Sequence, residues 1–71
     1  MFDSNKLRGK MAEKRITNER MASFLGIDPA TFYRKVIGKS EFTRTEIQQI
    51  AAFLGLTMSE LEDIFFAREL A

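Results

Sequence analysis

The sequence predicts an all-α, compact five-helix domain, and three observations carry that expectation. Apolar residues recur at helical spacing along nearly the whole chain, small polar residues able to cap stand just before each periodic stretch, and a glycine or a polar turn follows it. Few stretches alternate as a strand would, so strand content near zero is expected.

The first helix should run from near Ser4 to about Lys14, with Leu7 and Met11 one turn apart facing inward. Gly9 either weakens it or admits the close approach of a neighbour. The second should begin after Thr17, a side chain suited to N-capping, and bury Met21, Ala22, Phe24 and Leu25 before Gly26 ends it. Asp28 then caps a third helix whose first position is Pro29, where a missing N–H is harmless. That helix turns Phe32 and Val36 inward and stops near Gly38. A polar loop, Lys39-Ser40-Glu41, leads to Phe42, whose ring is expected to plug the core. Thr43 and Glu46 have the spacing of a capping box that opens a fourth helix, with Ile47, Ile50, Ala51 and Leu54 inward and Gly55 at its end. Thr57 and Glu60 repeat the spacing for a fifth, whose inward stripe is Met58, Leu61, Ile64 and Phe65.

Composition narrows the function. A chain of 71 residues has room for one modest core, so a single domain spanning 1–71 is expected and every functional surface must share it. At 45% hydrophobic and 30% charged residues the chain should fold rather than remain disordered. It has no cysteine and no histidine, which removes disulfides, thiol nucleophiles, imidazole bases and the usual zinc ligand sets. Neither a nucleophile–base pair nor a glycine-rich phosphate loop is present either, so an enzyme, a cofactor and a small-molecule ligand are all unexpected. Apolar runs fall short of the roughly 18 residues that a membrane span needs. The first residues lack the basic-then-apolar order of a signal peptide, so a soluble, cytoplasmic protein with no membrane partner is expected.

The formal net charge of +1 conceals a strong asymmetry. Residues 1–45 carry ten basic and five acidic side chains, whereas residues 46–71 carry one basic and five acidic. Two readings are open: two ordinary solvated surfaces that differ, or a polarised molecule with a basic side for a polyanion and an acidic side turned from it.

The junction of the second and third helices favours the polarised reading. An apolar helix ends in Leu25-Gly26-Ile27, and a capped helix starts after a turn of minimal length. Two helices joined so tightly cross steeply, which pushes the second outward, where it fits a major groove about 12 Å wide. Ala22 must be small where the third helix crosses it, Gly26 must tolerate the turn, and Ile27 must plug the angle.

At these residues the chain resembles the phage repressor and Cro family, the XRE-like helix-turn-helix domains of phages and bacteria. Ile16-Thr17-Asn18-Glu19-Arg20-Met21-Ala22-Ser23-Phe24-Leu25-Gly26-Ile27-Asp28 is similar to the family's first motif helix and turn. Thr31 through Lys39 resembles its recognition helix, and Ile47 through Leu61 its fourth and fifth helices. The resemblance implies a lambda repressor-like fold and a phage- or prophage-type repressor that binds a double-stranded DNA operator. It places Pro29, Ala30, Thr31, Tyr33 and Arg34 against base edges, and Arg34 is suited to guanine because a guanidinium donates two hydrogen bonds to O6 and N7. Tyr33 serves equally as a bond to base or phosphate or as a cover over the first helix.

The same resemblance implies backbone contacts from Thr17 and Asn18, where free N–H groups and the positive helix end favour phosphate, and from Lys35, Lys39, Ser40, Thr43 and Arg44. One departure bears on these assignments. Position 35 is lysine where many members place an apolar residue, and the apolar residue stands at Val36, which leaves the rotation of the recognition helix open.

Phe66 and Leu70 fall off the core arc of the fifth helix by the 100° rule. Either the helix frays and Phe66 folds back, or the two residues meet their counterparts in a homodimer that sets two recognition helices about 34 Å apart. The competing function is a helical protein-interaction module that binds another regulator or RNA polymerase through the fifth helix; RNA binding lacks a visible aromatic stacking platform.

Overall fold

In the computed structural model, which describes residues 1–66, five helices follow one another: α1 (Ser4–Glu13), α2 (Asn18–Leu25), α3 (Pro29–Val36), α4 (Arg44–Leu54) and α5 (Met58–Phe65). The chain is all-α over these residues, as the periodicity predicts. Leu70 lies outside the described residues.

Local capping chemistry sets the boundaries. Thr17, Thr43 and Thr57 each accept the N–H of the residue three positions on, and Glu46 and Glu60 complete reciprocal capping boxes by accepting the N–H of Thr43 and Thr57. Gly26 and Gly55 close α2 and α4 in the left-handed region at φ 73° and 64°, a conformation that costs a side chain dearly. The first helix starts at Ser4 as expected, and Asp3 supplies its cap by accepting the Lys6 N–H at 3.1 Å. A side chain at Gly9 would meet nothing within 4 Å, so no close neighbour explains that glycine.

The core is formed by Leu7 and Met11 of α1, Met21 and Ala22 of α2, Phe32 and Val36 of α3, Ile50 and Leu54 of α4, and Ile64 and Phe65 of α5. Phe42, in the loop before α4, joins this core to a cluster of rings. It meets Phe2 at 5.4 Å, Phe32 at 5.8 Å and Phe65 at 5.8 Å between centroids, so the expected plug is present. The chain ends of the bundle are tied together by the Asp3 N–H, which donates to the Ile64 carbonyl at 2.6 Å.

Two residues expected in the core are not there. Phe24 is 44% exposed and stacks on Phe53 of α4, centroids 4.1 Å apart, because α4 covers only part of its face of α2. Met58 is 70% exposed. It occupies the first position of α5, where its side chain lines an open groove with Ile47 and Leu61 instead of a closed interior.

A surface ion cluster joins α1 to α5. The Lys10 ammonium bridges Glu13 on its own helix at 3.3 Å and Glu60 on α5. That bond to Lys10, with the Thr57 N–H, lowers the Glu60 carboxyl from 4.5 to about 2. A carboxyl whose folded value is depressed adds stability that is complete above its unfolded value of 4.5 and is lost as pH falls toward about 2. Lys10→Met is therefore expected to flatten the fall of the thermal midpoint across that window, followed by circular dichroism at stepped pH. An equal fall in wild type and variant would remove the pair from the acid response.

Candidate nucleic-acid interface

The candidate site is built on the α2–turn–α3 unit, the most extensive helix–helix contact of the fold. Three residues, Gly26, Ile27 and Asp28, separate the two helices. The turn is closed by backbone bonds: Ile27 N–H donates to the Ala22 carbonyl at 3.0 Å and Gly26 N–H to that of Ser23 at 3.1 Å. Ala22 is fully buried and Ile27 packs against the core, so the small crossing residue and the plug stand where the turn needs them.

Burial then sorts α3 into two faces. Phe32 and Val36 are enclosed, which turns Pro29, Ala30, Tyr33 and Arg34 to the surface, with Thr31 half-buried beside them. Tyr33 is half exposed. The Arg34 guanidinium donates to Thr31 Oγ1 at 3.2 Å, which directs it along the outer face toward the N-terminal end of α3. That bond occupies one of its five donors and leaves the rest for a ligand.

Residues expected to flank the groove are also at the surface. Thr17 and Asn18 open α2, with the Thr17 hydroxyl accepting from the Arg20 N–H at 3.1 Å. Beyond α3 the chain turns at Gly38 (φ 86°), and the Lys39 N–H donates to the Arg34 carbonyl at 2.9 Å, so Lys39 and Ser40 emerge directly behind the recognition helix. Thr43 and Arg44 follow as the cap and first residue of α4, both exposed.

Lys35 stands apart from this set. Its Nζ lies 2.6 Å from Glu46 Oε1, and the two side chains are only 12% and 11% exposed, so the ammonium is directed into the fold instead of toward a phosphate. Burial raises the Glu46 carboxyl, but the bonds from Lys35 and from the Thr43 N–H outweigh it and leave the group below its ordinary value. The residue that the sequence reading treated only as a cap therefore has a second role as a charge partner. The signal lay in the lysine at an otherwise apolar register position, followed by a capping-box glutamate in the next helix.

At the end of α5 Phe66 is 57% exposed, with its N–H bonded to the Glu62 carbonyl at 2.9 Å, and it lines a cleft with Gly38, Ser40 and Phe42 of the loop behind α3. It does not fold back into the interior. With Met58, Leu61 and Ile47 it lines a surface groove rimmed by Arg44 and Gln48. Among the described residues, no helix is long and apolar enough to cross a membrane.

A model of the Cro/C1-type helix-turn-helix DNA-binding domain matches residues 6–66, which takes in all but the first two residues of α1 and the whole of α2 to α5. No curated protein and no solved structure matches the chain. The matched family is one of DNA-binding domains rather than enzymes, and its match coincides with an α3 that is held on α2 by a three-residue turn and opened by Pro29 without the side-chain cap bond expected of Asp28. The chain belongs to the Cro/C1-type helix-turn-helix DNA-binding domain family, a family of sequence-specific transcription regulators.

Proposed function

We propose that the protein is a phage- or prophage-type repressor that acts in the cytoplasm and binds a short double-stranded operator as a homodimer. The observation that carries this reading is the two-faced α3, with Phe32 and Val36 buried and Tyr33 and Arg34 turned outward at the end of a tight turn. Arg34, Tyr33, Thr31 and the apolar pair Pro29 and Ala30 face the bases, the last two as contacts to thymine methyl groups. Thr17, Asn18, Lys39, Ser40, Thr43 and Arg44 hold the phosphates on either side. Lys35 is left out of the phosphate set because Glu46 takes its ammonium.

The homodimer rests on the exposed Phe66 and its groove. The same patch supports the rival reading, an interaction module for another regulator or RNA polymerase, because Met58 and Phe66 are exposed beside the acidic Glu62 and Asp63.

Duplexes selected from a random DNA pool, then titrated against salt, test the proposal. Log affinity should fall with log salt by about 0.9 per neutralised phosphate. On the selected site, Arg34→Ala is expected to cost about 1 to 3 kcal/mol and to relax preference at one base pair, whereas Lys39→Ala should weaken all sequences alike. Equal, sequence-independent losses would make Arg34 a phosphate contact. Failure to bind any selected duplex at low salt, with a protein retained through α5, would favour the interaction module.

A further inference from the structure

The Lys35–Glu46 pair sits between the two parts that a DNA-reading surface must hold in register. Lys35 is the neighbour of Arg34 on α3, and Glu46 lies in the first turn of α4, beyond the loop that carries Lys39 and Ser40. One atom, Glu46 Oε1, takes both the Lys35 ammonium at 2.6 Å and the Thr43 N–H at 2.8 Å. The Thr43 hydroxyl returns a bond from the Glu46 N–H at 3.1 Å. The Phe42 ring closes the site from the side, its centroid 5.9 Å from Nζ. A single carboxylate oxygen thus joins the C-terminal half of the recognition helix to the cap of the next helix across the loop.

Stability alone does not account for this choice. An ion pair withdrawn from water pays a desolvation penalty that offsets much of its attraction, and an apolar pair of the same volume often does as well or better. What an apolar pair lacks is direction. Phe32 and Val36 set which face of α3 is inward. A methionine at position 35 would add apolar contact without a preferred direction, whereas the Lys35 ammonium must reach the Glu46 Oε1 that also holds the Thr43 N–H. The demand on rotation is tight. A turn of about 20° carries a side-chain tip roughly 5 Å from the helix axis through about 2 Å. That displacement breaks a hydrogen bond whose donor–acceptor distance is about 2.9 Å.

We propose that Lys35 and Glu46 are positioning residues, which fix the rotation of α3 and its offset from the loop behind it so that Arg34 and the Lys39–Ser40 backbone contacts engage one duplex together. The pair acts on operator specificity rather than on general affinity for DNA. This inference rests on the DNA-binding reading above.

Lys35→Met, Glu46→Gln and the double variant test it, each compared with wild type on a selected duplex and on a random-sequence duplex over a range of salt. Glutamine keeps an acceptor for the Thr43 N–H, so the cap of α4 survives in each variant, and circular dichroism gives the folded fraction against which affinities are normalised. The two single changes alter net charge in opposite senses. The expected result is that both nonetheless lower the selected-to-random affinity ratio, by about tenfold, and that the double variant is no worse than either. The salt slope should stay that of wild type.

If Lys35→Met instead reduces the slope by about 0.9 while Glu46→Gln binds as well as wild type, Lys35 is a phosphate contact and the inference is wrong. An unchanged affinity ratio with a lowered thermal midpoint would reduce the pair to a structural tie, again overturning it. If a single variant does not fold, the double variant, which buries no unpaired charge, decides the matter by the same ratio. Absence of wild-type binding to any selected duplex would remove the DNA-binding reading itself, a failure distinct from binding that the variants leave fully specific.

Discussion

Phe32→Ala is expected to cost about 3 to 5 kcal/mol of folding stability, most of what a domain of this size possesses. Phe32 is fully buried on the inner face of α3, and its ring lies against Phe42, which in turn contacts Phe2 and Phe65. Truncation removes the apolar contacts of one ring and leaves a cavity beside Phe42, whose ring is held between Phe2 and Phe65 and is unable to collapse far. The recognition helix is the element that loses its anchor. Urea unfolding followed by circular dichroism measures the effect, and Phe32→Leu, which keeps most of the volume, should lose less than about 1.5 kcal/mol. A cost below about 1 kcal/mol for the alanine variant would mean that the Phe42 ring or its neighbours refill the space, contrary to a ring held in place by Phe2 and Phe65.

Phe66→Glu is expected to give the largest change in DNA binding with little change in stability. Phe66 is exposed at the end of α5, and its ring contributes to a groove on the surface instead of to the interior. Replacement of such a residue usually alters stability by no more than about 0.5 kcal/mol. In the proposed homodimer the same change sets a carboxylate against its symmetry mate at a contact that excludes water, beside Glu62 and Asp63. Two half-sites bound by one linked pair reinforce each other by about 10²- to 10⁴-fold, and a monomer forgoes that gain. Sedimentation should show a folded monomer, and titration on the selected operator a loss on the order of 10²-fold or more. Unfolding of the variant would assign Phe66 to the fold, and a variant that stays dimeric and binds normally would place the dimer contact elsewhere.

The helix boundaries and the turn were legible in the order of residues because the forces that set them act within one helical turn. Thr17, Thr43 and Thr57 cap donors three positions away, and Glu46 and Glu60 return those bonds. Gly26 ends α2 in the left-handed region, a backbone conformation that a residue's own Cβ disfavours. The inward placement of Phe32 and Val36, and with it the outward face of Tyr33 and Arg34, follows from periodicity within α3.

Other features depended on partners far along the chain. Periodicity says which side of a helix faces a neighbour but not how far that neighbour extends. Phe24 therefore ended half outside on Phe53, and Met58 at the open edge of α5. The lysine at position 35 read as a surface charge until α4 brought Glu46, eleven residues on, within 2.6 Å of it. Capping and amphipathic pattern are properties of a segment, whereas the pairing of a buried charge belongs to the packing angle between segments, which exists only once the core has closed.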